Sequence, residues 1–87
     1  MFSHLPDPRL PRLIEEARSI EATLAAAAAL LDAGRRIDMI GLDQRTGRLC
    51  AQGLDLPPED GARLRPALVT LRTGLDAIAG RLKNPPR

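Results

Sequence analysis

Two stretches of this chain repeat an apolar residue at alternating steps of three and four, a spacing that only an α-helix turns into a continuous stripe. In the first, Leu10, Leu13, Ala17, Ile20, Leu24, Ala27 and Leu31 fall into register; in the second, Leu64, Leu68, Leu71, Leu75, Ile78 and Leu82 do so. Pleated as strands, both stretches would scatter their leucines over two faces. Composition points the same way, because Phe2 is the only aromatic residue among 87 and Leu, Ile and Ala must supply the core. That set favours helices over sheets.

Local signals set the expected boundaries. Asp7 and Pro8 read as an N-cap and a first helical position, and Gly34 reads as a C-cap, which predicts a helix over about 10–33. Ile14, Ala28 and Leu30 widen its stripe, and the alanines at 25–29 permit another helix to approach closely. Pro58, Glu59 and Asp60 read as the opening of a second long helix over 58–83, closed by Asn84, Pro85 and Pro86. Pro66 lacks a backbone donor, so it either kinks this helix near residue 62 or delays the regular helix to Arg65.

The intervening segment has two readings. With Asp38 as N-cap, it forms a short helix that places Leu42, Thr46, Leu49, Cys50 and Leu54 on one face. Otherwise IDMIGLD and RLCAQGLDL pair as a β-hairpin around QRTG. The helix is favoured, since an isolated hairpin is marginal in water and no sheet is offered for it to join.

The fold class expected is therefore all-α, an antiparallel hairpin of two long helices with a short third helix between them. Residues 1–9 read as a flexible proline-rich tail, 10–83 as one domain and 84–87 as a disordered C-terminus. Glu16 and Glu21 flank one seam and Arg72 and Arg81 the other, which fits antiparallel pairing. Two stripes on so small a scaffold also suggest dimerisation into a four-helix bundle.

Several functions are disfavoured. One cysteine, Cys50, allows no intrachain disulfide and no thiolate zinc cage, and a reducing, cytoplasmic setting is the expectation that fits best. The apolar run over 22–31 contains Thr23 and falls short of the roughly 20 residues of a membrane span. Pro6, Pro8 and Pro11 interrupt the place where a signal peptide would carry its apolar region. Asp32, Asp38 and Asp43 lack the alternation of a calcium loop, and the glycines of GLDQRTGR are misplaced for a phosphate loop. His4 lies in the tail, and Cys50 reads as a small core residue with no second histidine to activate it.

The expected function is a non-enzymatic helical protein-interaction module, such as an adaptor, an assembly subunit or a small export-chaperone-like protein. Its partner would be itself or another helical protein, with no cofactor, metal or membrane. The residues expected to form core or interface are Leu13, Ala17, Ile20, Leu24, Ala27, Leu31, Leu64, Leu68, Leu71, Leu75, Ile78 and Leu82. The alternative is a nucleic-acid-associated regulator using Arg35, Arg36, Arg45 and Arg48 as a basic patch. Interspersed aspartates and the lack of stacking aromatics disfavour it, as does a net charge of only +2.

Overall fold

A computed structural model of the chain describes residues 7–83. It contains three helices, α1 (Arg9–Asp32), α2 (Met39–Leu54) and α3 (Pro58–Lys83), and no strand among the described residues. The middle segment is thus helical, and the hairpin reading is discarded. Asp38 caps α2, accepting from the backbone N–H groups of Ile40 at 3.0 Å and Gly41 at 3.3 Å. The expectations for residues 1–6, His4 included, and for 84–87 lie outside the described residues.

Each end has a physical cause. Asp7 accepts the Arg9 N–H at 2.9 Å, so it performs the capping although the helix opens at Arg9. At the other end Gly34 adopts a φ of 77°, where a side chain would be strained. The Gly34 N–H then reaches the Leu31 carbonyl and the Arg35 N–H the Leu30 carbonyl, the paired closure of a Schellman motif. Helix α3 runs through Pro66 without a break. Pro66 lies on the exposed face, where solvent can serve the Ala62 carbonyl that loses its donor.

The expected antiparallel hairpin of the two long helices is not what forms. Helices α1 and α3 run parallel: Asp7 donates its N–H to Asp60 at 3.0 Å at one end, and Arg81 pairs with Asp32 at the other. Between these ends, a Cβ placed on Gly74 would lie 3.2 Å from Leu24 Cδ1. The reason is the length of α2. Sixteen residues at about 1.5 Å each carry the chain back toward its starting end, so α3 departs beside the beginning of α1. Accordingly, Glu16 pairs with Arg45 of α2 at 2.9 Å, while Arg72 pairs with Asp76 of its own helix at 3.4 Å. The four charges that suggested antiparallel long helices do not meet one another in these pairs.

The three helices share one core. Leu10, Leu13, Ala17, Ile20, Leu24 and Ala27 of α1 are buried against Leu42 and Leu49 of α2, Leu56 of the connection, and Leu64, Leu71, Leu75 and Ile78 of α3. Leu31 and Leu68 are half-buried and Leu82 is exposed. Both heptad stripes are therefore spent mainly within the chain.

Two expectations for α2 need correction. Cys50 is exposed and not a core residue, and Leu54 is 87% exposed. At about 100° per residue, Leu42, Thr46 and Leu49 stay within one narrow sector, whereas Leu54 falls about 120° away from Leu42. Gly53 occupies the inward position instead, where a Cβ would lie 3.0 Å from Leu64 Cδ2. Leu56, just past the helix, supplies the buried side chain there.

Asp7 to Arg9, read as the end of a loose tail, are also held in the fold. Arg9 donates to both carboxylate oxygens of Asp7 at 2.9 Å and to the Asp55 carbonyl at 3.1 Å. The Arg9 side-chain hydrogen bonds, joined by its backbone N–H, lower the Asp7 pKa from the ordinary 3.8 to about 2. A carboxylate whose pKa is depressed on folding contributes stability above its unfolded value and loses it as pH falls through its folded one. The Asp7 contribution should thus be intact above about pH 4 and disappear toward pH 2. Carbon-detected NMR titration should place its midpoint near 2, and Arg9→Ala should return it toward 3.8. An unshifted midpoint in the native chain would contradict the Arg9 clasp.

Candidate functional site

Where α2 and α3 lie side by side, their small and half-buried side chains leave a groove of about 630 Å³. Thr46, Gly47 and Cys50 form its α2 wall, and Leu68, Leu75 and Ala79 are among the residues of its α3 wall. Toward the other end of α2 a second depression, of about 350 Å³, shares Cys50 and Leu68 with the first. Leu54 and Arg65 line that section, so the two form one trench along the α2–α3 seam. It exists because α2 offers Thr, Gly and Cys in places where a leucine would have filled the gap.

The trench has charged ends of opposite sign. Asp43 lines it on the side of Met39 and Arg65 on the side of Leu54, and Arg72 and Asp76 pair with each other along its α3 wall. Its interior also holds an unmet polar group. Thr46 is 7% exposed, and its Oγ1 has no hydrogen-bond partner among the described residues, although in a helix it could reach the carbonyl one turn earlier. A buried hydroxyl in that state costs about 1–3 kcal/mol relative to a satisfied one.

Beside the trench, the outward ridge of α2 carries Ile40, Gln44, Gly47, Ala51 and Leu54, all exposed. Ile40 is 70% exposed, which with Leu54 puts a large aliphatic side chain in water at each end of the helix. Val69 and Leu82 add apolar surface on α3. Cys50 is the only cysteine of the chain and stands beside this surface.

Among the residues expected to form core or interface, Leu13, Ala17, Ile20, Leu24, Ala27, Leu64, Leu71, Leu75 and Ile78 are buried in the shared core. Leu68, Leu75 and Leu82 contribute to the trench. Sequence reasoning missed Ile40, Gly47 and Ala51 as surface, though their spacing with Leu54 at steps of seven, four and three was available as a signal. The four arginines expected as one patch have different settings. Arg35 and Arg36 lie in the α1–α2 connection, and Arg48 is exposed on α2. Arg45, two turns into α2, donates to Glu16 and, at 3.2 Å, to the Ser19 hydroxyl.

The described residues contain no group of three or more His, Cys, Asp or Glu able to hold a metal ion. No helix among them is long and apolar enough to cross a membrane. Comparison with protein families, with curated proteins and with solved structures finds no match to this chain.

Proposed function

We propose that the chain is a non-enzymatic protein-interaction module that receives a partner helix along the α2–α3 trench. The observation that carries this reading is the apolar surface left after the core is complete: Ile40 and Leu54 stand in water on either side of a wall of small residues. An amphipathic helix laid there would cover them with its own anchors at helical spacing, the usual mode of helix-in-groove recognition. This differs from the stripe expected from the heptads, because those leucines already serve the intramolecular core. The basic-patch alternative is weakened by the engagement of Arg45 with Glu16.

The single cysteine supplies the test. A photoreactive group attached to Cys50 should cross-link a protein in extracts of the native cell, and Leu54→Glu should abolish the adduct without altering the helical circular dichroism. The same group moved to exposed Glu15, in a Cys50→Ser background, should give no adduct. A nuclease-sensitive adduct, or one that ignores the Leu54 substitution, would overturn the reading.

A further inference from the structure

Resting on that reading of the trench, we propose that its occupant is α2 of a second copy of this chain, laid end for end about a two-fold axis at Gly47. The exposed ridge of α2 has the internal symmetry such a contact demands. Ile40 and Leu54 are each seven residues, two helical turns, from Gly47. An antiparallel copy centred there sets Ile40 of one chain on Leu54 of the other, and the same pair recurs on the far side of the axis. A two-fold interface must be self-complementary in this sense, with each residue and its counterpart exchanging roles.

Gly47 suits the axis position. A Cβ there would meet nothing within 4 Å among the described residues, so no contact with them requires a glycine. Glycine in a helix interior is less favourable than alanine, and what it offers in return is close approach of another backbone. Ala51, one turn away on the same ridge, continues the low surface.

The charges of the trench match the same reversal. Asp43 lies toward one end and Arg65 toward the other, while Arg72 and Asp76 pair with each other on the α3 wall. Turning a copy end for end carries its Asp43 from the Met39 side to the level of Ala51, beside Leu68 and toward Arg65. The reciprocal contact forms in the other half. A parallel copy would instead set Asp43 at the level of Asp43 and Arg65 at the level of Arg65. The closing helix also brings polar groups to the trench that holds the unpartnered Thr46 hydroxyl.

Sedimentation equilibrium on the full chain tests the proposal. The native protein should move from the 9.4 kDa of one chain to twice that mass as concentration rises. Gly47→Leu should weaken association by about tenfold or more while leaving the monomer at least as stable as before, because leucine favours the helix and the new side chain is blocked only by a second copy. Ile40→Glu and Leu54→Lys should each weaken association alone, and mixing the two variants should restore a dimer containing one of each. In that mixed dimer the new carboxylate faces the new ammonium, and the native Ile40 and Leu54 meet at the other end. A native chain that stays at 9.4 kDa, a Gly47→Leu variant that associates normally, or a mixture that stays monomeric would each overturn the two-fold dimer. Any of these results, together with a Leu54-dependent adduct to a different helical protein, would leave the trench as a docking site and remove only the second copy as its occupant.

Discussion

Leu49→Ala should destabilise the chain by about 2–5 kcal/mol, whereas Leu54→Ala, five residues further along the same helix, should change the stability of the monomer by less than about 0.5 kcal/mol. Leu49 is fully buried where α2 meets the shared core, so its loss removes apolar contact and leaves a cavity that three mutually braced helices can only partly close. Leu54 leaves no cavity because it has no packed surroundings. The loss at Leu49 is a large share of the roughly 5–15 kcal/mol that holds a typical small domain together. Urea unfolding followed by circular dichroism should therefore show Leu49→Ala with a sharply lower midpoint. Equal effects of the two substitutions would mean that α2 is rotated from the orientation described.

Asp60→Ala should cost about 2–4 kcal/mol, an unusual penalty for a carboxylate in the first turn of a helix. Most such acids lie in water and contribute a few tenths of a kcal/mol to about 1 kcal/mol through the helix dipole. Asp60 has no solvent exposure, accepts the Asp7 N–H at 3.0 Å, and has an Arg63 guanidinium nitrogen 3.9 Å from its other oxygen. It joins the start of α3 to the residue that caps α1. Alanine would take the acceptor from the half-buried Asp7 donor and loosen both helix openings together. Hydrogen exchange should thus accelerate at Asp7 and through the first turns of α1 and α3 ahead of the rest. Unchanged stability in Asp60→Ala, or fast exchange confined to α3, would show that this bond does not join the two helices.

Helix identity was legible because it depends on near-neighbour chemistry. Asp38 could be read as a cap, Gly34 as a stop and Leu13, Ile20, Leu71 and Ile78 as inward-facing, since each follows from spacing and backbone preference over a few residues. Asp60 was read as an ordinary first-turn acid, because its burial and its bond to Asp7, 53 residues away in the chain, are tertiary. Cys50 and Leu54 were placed inside α2 by the pattern of apolar residue types. The actual rotation of that helix instead follows from where Gly53 and Leu56 let α3 approach.

The sequence by itself determined three helices, their caps and most of one apolar face on each, because a 3.6-residue period needs no knowledge of partners. Tertiary structure alone decided that the long helices run parallel, that a buried carboxylate joins their openings, and that the two most exposed large aliphatic side chains, Ile40 and Leu54, lie on α2. Those outcomes depend on how far α2 carries the chain back and which sectors its neighbours cover, and both are distances in space that the order of residues does not contain.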